Sequence, residues 1–389
     1  MSVRRSALIP SALSFFLVTL NASMVTTALP VIGRDLGAGG ALAWVLTGYS
    51  LVFAICLLPA GVWVDRVGAP RAFTAGVTVF AGTSVAGALA GSLGVLLGAR
   101  AIQGAAAAVV LPAGLSMLNG AVPDAAARGR AVGRWAAAGA VALVVGSPVG
   151  GAMTSWFGWQ STFWLNVPVS LIVLGTAMGL RGQAAAGRTA GVIGLLRSRP
   201  VVVSTVTGFA LNFASYGAIF VVTFLLQEEL GRSAWSTGLV FVPMTLLIIP
   251  ANLAAGQLAG RLGVAQTLLL GQTLMAAGLL GLCFSGTTTW QLTAWLLPIG
   301  AGAGLVAPAA TTLMLDGVPA ERGGLGSGLL NASRQLGSAA APALFGALLV
   351  PAHFMLGFRL STVLALAVIA APAILHTRLA ARQMRQVQG

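Results

Sequence analysis

The chain contains no lysine and few other charged or metal-binding residues. Its 389 residues include seven acidic residues, two histidines and two cysteines, and 7% of the residues are charged. A soluble domain carries roughly 25% charged residues, so this composition excludes an ordinary soluble fold. Cys56 and Cys283 lie in separate apolar blocks without neighbouring cysteines or histidines. We therefore expect no disulfide, no metal site and no cofactor.

Long apolar blocks make up most of the sequence. Hydrophobic residues account for 57% of the chain, and the mean hydropathy is +0.94. The blocks are about 20 to 27 residues long, which is the length that an α-helix needs to cross about 30 Å of hydrocarbon. We therefore predict an all-α integral membrane protein with twelve transmembrane helices. The predicted spans are residues 9–32, 42–64, 70–90, 94–120, 131–154, 162–180, 201–227, 235–260, 264–284, 290–315, 323–350 and 354–377.

The arginines predict how these helices are oriented. A net charge of +14 would indicate a nucleic-acid partner in a soluble protein, but here most arginines fall in the connections on the same side as the N-terminus. Positively charged residues accumulate on the cytoplasmic side of membranes. We therefore expect a plasma-membrane protein with both termini in the cytoplasm and no nucleic-acid partner. The apolar run after Arg4 and Arg5 is longer than a signal peptide requires, so we expect it to remain as the first helix.

The longest polar connection divides the chain into two halves. Residues 181–200 are rich in Gly, Ala and Arg. We predict that they form a cytoplasmic linker between an N-terminal six-helix bundle, 1–180, and a C-terminal six-helix bundle, 201–389. Within the linker, residues 192–199 could lie as a short amphipathic helix on the inner leaflet or remain an unstructured basic loop.

An internal repeat supports this division. Three glycines and an arginine recur at an offset of 195 residues: Gly61, Arg66, Gly68 and Gly76 recur as Gly256, Arg261, Gly263 and Gly271. A glycine and two prolines recur at an offset of 196 residues: Gly104, Pro112 and Pro123 recur as Gly300, Pro308 and Pro319. The two nearly equal offsets predict two parallel, pseudo-symmetric six-helix repeats.

Five short motifs follow one another along the chain. They are Gly61-x-x-x-Asp65-Arg66-x-Gly68, Arg100-Ala101-Ile102-Gln103-Gly104, Gly146-Ser147-Pro148-Val149-Gly150-Gly151, Asn166-Val167-Pro168 after Gly158-Trp159, and Gln227 followed by Gly231, Ser233, Gly238 and Pro243. In this order they resemble the motifs of the major facilitator superfamily, and within it the drug exporters that usually have fourteen helices. The resemblance covers nearly the whole chain. It implies a monomeric secondary transporter that moves a small-molecule substrate by alternating access.

The departures from that pattern are informative. The linker is too short for the two extra central helices of the drug exporters, so the prediction stays at twelve. The first helix has Asn21 where an acid is usual, and the loop after the second helix has Ala69 and Pro70 where basic residues are usual. Arg71 is the nearest basic substitute in that loop.

Two of the motifs are candidates for gating. The resemblance implies that the loop between helices 2 and 3 locks one state of the transporter, and that the glycine-rich part of helix 5 acts where the two halves flex. The alternatives are a tight turn with solvated charges and ordinary glycine-mediated helix packing. The candidate gating residues are Gly61, Asp65, Arg66, Gly68, Arg71, Gly146, Pro148, Gly150 and Gly151.

Polar residues inside the apolar blocks are candidates for substrate binding. Arg100 lies about six residues into the fourth block without a nearby acid. It could extend to the outer interface, or it could act as an electrostatic partner for substrate or proton movement. The asparagines and glutamines could instead form hydrogen bonds between helices. The candidates are Asn21, Arg100, Gln103, Asn212, Tyr216, Gln227, Asn331, Arg334 and Gln335.

Proton coupling has few candidates, because no acid is central in a predicted helix. Glu228, Glu229 and Asp316 lie at helix ends, where they could take up protons or could simply be solvated. We expect a proton-coupled exporter of small amphipathic molecules, such as drugs or metabolites. The alternatives are an uncoupled facilitator or anion transporter and, in another class, a non-transporting receptor. The sequence shows no nucleophile–base pair or phosphate-binding loop, so we expect no enzyme.

Overall fold

The structure, a computed structural model, describes residues 2–121, 125–178, 198–318, 323–349 and 353–388. Within these ranges the regular secondary structure is helical and contains no strand, which confirms the all-α prediction. The helices of the first half are α1 (Ser2–Asp35), α2 (Trp44–Val67), α3 (Ala69–Ala88), α4 (Leu93–Ala121), α5 (Ala125–Phe157), α6 (Gln160–Trp164) and α7 (Asn166–Ala177). Those of the second half are α8 (Arg199–Phe224), α9 (Ala234–Val240), α10 (Val242–Leu262), α11 (Val264–Phe284), α12 (Thr289–Asp316), α13 (Gly323–Leu348) and α14 (Phe354–Gln388).

The described helices form twelve successive spans, as predicted. The sixth span consists of α6 and α7, and the eighth consists of α9 and α10. The seventh consists of α8 and a π-helical turn at Leu225–Glu229. Several helices are longer than the apolar blocks, and α1 extends from residue 2 instead of residue 9. A helix can continue past the hydrocarbon because its polar ends are solvated outside it.

The outer surfaces of the helices are suited to lipid. Large apolar side chains are exposed on them, including Ile55 at 63% and Leu253 at 73%. Such exposure would be unfavourable in water but matches lipid tails. Helix α2 bends by 55° between Trp44–Leu57 and Pro59–Val67. Pro59 explains the bend, because proline lacks the N–H group that an unbroken helix needs.

The chain divides into two compact units. Unit 1 consists of Met1–Thr189 and Leu226–Val242, and unit 2 consists of Ala190–Leu225 and Pro243–Gly389. The short segment Leu226–Val242 therefore packs with helices that precede it in the sequence. The predicted linker, 181–200, lies outside the described residues except for residues 198–200. The division into bundles 1–180 and 201–389 stays a prediction.

The two sequence repeats have the same local geometry. Gly68 has φ +89° and Gly263 has φ +92°, and each separates two helices. The N–H of Gly68 donates to the carbonyl oxygen of Val64 at 3.0 Å, and the N–H of Gly263 donates to that of Ala259 at 3.0 Å. Since L-residues rarely adopt such φ values, glycine is required at both turns.

The glycines that follow these turns also make equivalent contacts. A methyl group on Gly76 would lie 2.9 Å from Val110 Cγ2, and one on Gly271 would lie 2.7 Å from Val306 Cγ2. The partners are offset by 196 residues, like the second set of repeated residues. The sequence repeat is therefore a repeat of helix packing.

Replacing Gly68 by alanine is expected to destabilise the protein by about 1–3 kcal/mol, because a non-glycine residue is strained at this backbone conformation. No atom lies within 4 Å of the position that the new methyl group would take, so backbone strain alone sets the cost. Gly61→Ala is the matched control, since Gly61 is helical and equally open. The control should keep or raise the apparent melting temperature in detergent. Equal melting temperatures for the two variants would contradict the prediction.

Candidate functional site

A buried arginine lies at the centre of a polar network in unit 1. Arg100 on α4 is 1% exposed. Its Nε donates to the carbonyl oxygen of Val45 at 3.0 Å, and its Nη1 donates to Gln103 Oε1 at 2.7 Å. Its guanidinium carbon lies 4.1 Å from the centre of the Tyr49 ring, which is a cation–π geometry. Arg100 is thus enclosed by protein and does not extend to the outer interface.

The network of Arg100 continues to a third helix. Gln103 Nε2 donates to Ser84 Oγ at 2.7 Å, and Ser84 Oγ donates to the carbonyl oxygen of Phe80 at 2.8 Å. Gly104 lets α4 approach α2, because any side chain there would collide with the carbonyl oxygen of Tyr49. Arg100 and Gln103 therefore connect α2, α3 and α4 through directed polar contacts.

No described carboxylate balances the charge of Arg100. The one ion pair among the described residues joins Arg34 and Glu228, with 3.9 Å between Arg34 Nε and Glu228 Oε1. Arg100 Nη2 is buried and has no hydrogen-bond partner among the described residues. A charge inside a membrane is costly unless it is paired, and it usually marks a functional position.

Asn21 forms a hydrogen bond to an asparagine on another helix. Asn166 Nδ2 donates to Asn21 Oδ1 at 2.9 Å, and both side chains are fully buried. The bond joins α1 to the start of α7. Asn21 Nδ2 and Asn166 Oδ1 have no partner among the described residues. The contact is the interhelical hydrogen bond that the sequence offered as one interpretation of Asn21.

The glycines of α5 bring helix backbones into contact on two sides. A methyl group on Gly146 would lie 2.5 Å from Ser23 Cβ, and one on Gly150 would lie 2.5 Å from Met24 Cα. These two glycines therefore face α1. Gly151 faces α9 instead, where a side chain would collide with the carbonyl oxygen of Ala234.

Residues of the segment Leu226–Val242 also contribute to the contacts with α5 and α1. A methyl group on Gly238 would lie 3.0 Å from Pro148 Cα, so α9 also has a glycine at the contact with α5. The backbone N–H of Trp235 donates to Ser155 Oγ at 3.0 Å. In the π-helical turn, Gln227 Nε2 donates to the carbonyl oxygen of Thr27 at 2.9 Å. Glycine contacts and polar bonds thus hold this segment against α1 and α5.

The charged residues predicted to form a loop lie instead at the end of α2 and the start of α3, with Gly68 alone between the two helices. Asp65 is half-buried, whereas Arg66 and Arg71 are exposed. Among the described residues, none of these three forms an ion pair. Gly68 makes the turn with its positive φ, and Gly61 has no atom within 4 Å of the place of a side chain. The charges at this junction are therefore available for new contacts.

A second polar cluster lies in unit 2. Arg334 on α13 donates from Nη2 to the carbonyl oxygen of Ala307 at 2.9 Å and to Thr311 Oγ1 at 3.2 Å. Asn212 Nδ2 on α8 donates to Ser338 Oγ at 2.9 Å. These candidates are half-buried, as are the others on the same two helices: Tyr216, Asn331 and Gln335.

The candidates for proton coupling lie on the surface of their units. Glu228 and Glu229 are exposed in the π-helical turn of unit 1, and Asp316 is exposed at the end of α12 in unit 2. Of these three, Glu228 has a charged partner among the described residues, Arg34.

The sequence did not identify several partners of the candidate residues. Asn166 could have been recognised from the sequence, because it is a polar residue within a predicted apolar span. Ser84 and Thr311 could not have been recognised, because serine and threonine in membrane helices commonly bond to the backbone of their own helix. Their role depends on which helix lies opposite.

The fold and these contacts can be compared with known proteins. A family model described as Major Facilitator Superfamily matches residues 11–342. The chain belongs to this superfamily. It is therefore a multi-pass membrane transporter that moves small molecules across a lipid bilayer, and it is not an enzyme.

Curated relatives match most of the chain. The Multidrug resistance protein Stp of Mycobacterium tuberculosis is 29% identical, in an alignment that covers 88% of this chain and 75% of that protein. The Methylenomycin A resistance protein of Streptomyces coelicolor is also 29% identical, with 87% of this chain and 84% of that protein covered.

A solved structure has the same fold. It is a bacterial homologue of the human lysosomal transporter Spinster, crystallised in an inward-facing and unoccupied conformation. The TM-score is 0.76 at 16% identity, and the match covers 96% of each chain. At this identity the likeness concerns the superfamily fold alone.

Replacing Gly150 by alanine is expected to destabilise unit 1 by about 1–3 kcal/mol, because overpacking forces the neighbouring helix to move. The new methyl group would lie 2.5 Å from Met24 Cα and 2.7 Å from Thr27 Oγ1. Gly175→Ala on α7 is the matched control, since no atom lies within 4 Å of its new methyl group. Thermal unfolding in detergent measures both. A melting temperature for Gly150→Ala as high as that of the control would refute the close contact.

Proposed function

We propose that this transporter exports small amphipathic molecules, such as drugs or metabolites, and exchanges them for protons. The observation that carries the proposal is the packing around α5. Gly146 and Gly150 contact α1, while Gly151 contacts α9. These glycines belong to the motif that resembles the antiporter motif of drug exporters. The names of the two relatives, a multidrug resistance protein and an antibiotic resistance protein, support the direction of transport.

Alternating access requires contacts that break and re-form during each cycle. The contact between α5 and α9 is suited to this role, because Gly151 and Gly238 meet backbone atoms and have no side chains that interlock. Two small residues can separate without a change of rotamer. We propose that the packing of α9 on α5 is one of the contacts that the cycle breaks.

The junction between α2 and α3 is a second proposed gate in unit 1. The carboxylate of Asp65 is half-buried, and Arg66 and Arg71 are exposed beside it. Charges of both signs at a helix end can bind the ends of other helices by charge and dipole interactions. Such contacts would hold one state of the transporter and break in the other. The arginine distribution supports a cytoplasmic location for this junction and for both termini in the plasma membrane. We propose that the transporter acts as a monomer.

The structure favours Glu228 as the first candidate for proton coupling. Its carboxylate is 3.9 Å from Arg34 Nε, and it lies in the segment that packs on α1 and α5. Movement of that segment would change the distance between the two charges. Glu229 and Asp316 remain candidates without a charged partner among the described residues. Arg100 is a further candidate, as a fixed positive charge inside unit 1.

A second candidate function is an uncoupled facilitator or anion transporter. It is favoured by Asn21, which stands where related exporters usually have an acid and which is hydrogen-bonded to another neutral residue, Asn166. In the described part of the chain, Arg100 and Arg334 lie well within helices, whereas the acids lie at or near helix ends. Proton exchange would then depend on acids at helix ends alone.

Flux measurements in liposomes separate the two candidates. Purified protein is reconstituted, and the movement of rhodamine 123 and fluorescein is followed with and without a pH gradient. For one proton per molecule, a gradient of two pH units supports up to about 100-fold accumulation of a coupled substrate. We expect accumulation to follow the gradient and to stop when a protonophore is added. Movement that equilibrates without accumulating identifies a facilitator, and an absence of movement in both conditions contradicts transport of these dyes.

Replacing Asp65 by asparagine is expected to abolish transport while the protein stays folded. The substitution removes the charge of the proposed gate and keeps the size of the side chain. Asp35→Asn is the matched control, because Asp35 is an exposed acid at the end of α1 that takes part in no proposed step. Dye flux and the melting temperature are measured for both variants. Wild-type turnover in Asp65→Asn would eliminate the gating role.

A further inference from the structure

The second arginine inside an apolar helix, Arg334, lies far from both ends of that helix. Arg334 follows the first residue of α13, Gly323, by 11 residues and precedes the last, Leu348, by 14. At 1.5 Å per residue these separations are about 17 Å and about 21 Å along the helix axis. Both are longer than an arginine side chain. With residues 323–350 crossing the membrane as the sequence predicts, lipid head groups at either surface are out of reach of this guanidinium.

The contacts of Arg334 position the guanidinium without using all its donors. Its stem passes Gly208 on α8, where a methyl group would lie 3.3 Å from Arg334 Cγ. Its Nη2 donates to Ala307 and Thr311 on α12. Its Nε is buried without a partner among the described residues. Its Nη1 donates to none of the described residues either. The donors of Nη1 therefore remain for a further acceptor, whereas the buried Nε faces protein.

The charge of Arg334 is also uncompensated. The one acid among the described residues of unit 2 is Asp316, which is exposed at the end of α12. Arginine keeps its proton in proteins, so the positive charge persists. A cation inside a membrane is expected to have a partner of opposite charge, and in the described part of unit 2 the protein provides none.

Arg334 differs from Arg100 in its accessibility. Arg100 is 1% exposed and stacked on Tyr49, so it holds helices together inside unit 1. Arg334 is half-buried, and its backbone carbonyl oxygen accepts from Ser338 Oγ, which in turn accepts from Asn212 Nδ2 on α8. Asn212 and Tyr216 on α8 are also half-buried and offer hydrogen-bonding groups without charge. Part of the Arg334 side chain is therefore exposed to a ligand, whereas Arg100 is enclosed by protein.

We propose that the substrates of this transporter are anionic amphiphiles and that Arg334 binds their negatively charged group, a carboxylate or a similar oxyanion. This inference rests on the proposed export function and specifies its substrate class. The substrate supplies the negative charge that unit 2 lacks, and Thr311 keeps the guanidinium oriented toward it. A cationic substrate would be repelled by the same charge.

Dye binding tests the proposal directly. Fluorescein and rhodamine 123 share a xanthene ring system but carry opposite charges, and their fluorescence anisotropy is titrated with purified protein in neutral detergent. We expect the wild type to bind fluorescein more tightly than rhodamine 123. Arg334→Gln should weaken fluorescein binding by about ten-fold or more, because a hydrogen bond to a charged group is lost. It should not weaken rhodamine 123 binding.

Two further variants keep the test decisive. Arg334→Lys retains the charge and should bind fluorescein more tightly than Arg334→Gln. If Arg334→Gln is unstable, fluorescein binding by Arg334→Lys can still be compared with fluorescein binding by the wild type. Arg359→Gln removes an exposed arginine of the same unit and should leave binding unchanged. Undetectable fluorescein binding, binding indifferent to Arg334, or an equal loss for both dyes would overturn the proposal.

Liposome flux separates this proposal from the export function. If rhodamine 123 is accumulated and fluorescein is neither bound nor moved, export stands and the anionic substrate class is wrong. If fluorescein binds through Arg334 but neither dye is moved, the substrate-binding role of Arg334 stands and export of these dyes is wrong.

Discussion

Direct contact between helix backbones at glycine is the interaction on which the rest of this structure depends. Lipid tails are as apolar as leucine, so helices in a membrane associate through close packing and polar bonds instead of the hydrophobic effect. Gly146 and Gly150 supply this contact between α5 and α1, and Gly104 supplies it between α4 and α2. The polar bond from Arg100 to Val45 joins α4 to α2, which Gly104 already holds at backbone distance.

The same small residues connect stability to movement. Interlocked large side chains in place of these glycines would hold α9 on α5 more firmly, but in the proposed transport cycle they would have to unlock. Glycine on both sides, at Gly151 and Gly238, allows a close contact that can separate as a unit. The polar bonds of Gln227 and Trp235 then give that contact a preferred position. A transporter needs both properties at the same place.

The sequence predicted the fold well because the membrane restricts the choices. Blocks of apolar residues with the length of a span leave the helix as the one solution, since each backbone polar group must be satisfied within its own segment. The turns at Gly68 and Gly263 could also be predicted, because these two glycines are separated by the same number of residues as the other members of their repeat. The candidate sites were less predictable. Arg100 and Arg334 look alike in sequence, yet one is enclosed and the other accessible.

By itself, the sequence determined the number of spans, the repeat and the superfamily, because these follow from local composition and from motifs with regular spacing. Tertiary structure alone decided which polar residues meet. The bonds of Asn21 to Asn166 and of Arg334 to Thr311 join positions far apart in the chain. Whether a side chain is enclosed or open depends on which helix lies opposite. The sequence of one helix does not specify which helix packs against it. The burial of a side chain, its hydrogen-bond partner and the accessibility of its charge are therefore set only when the helices pack.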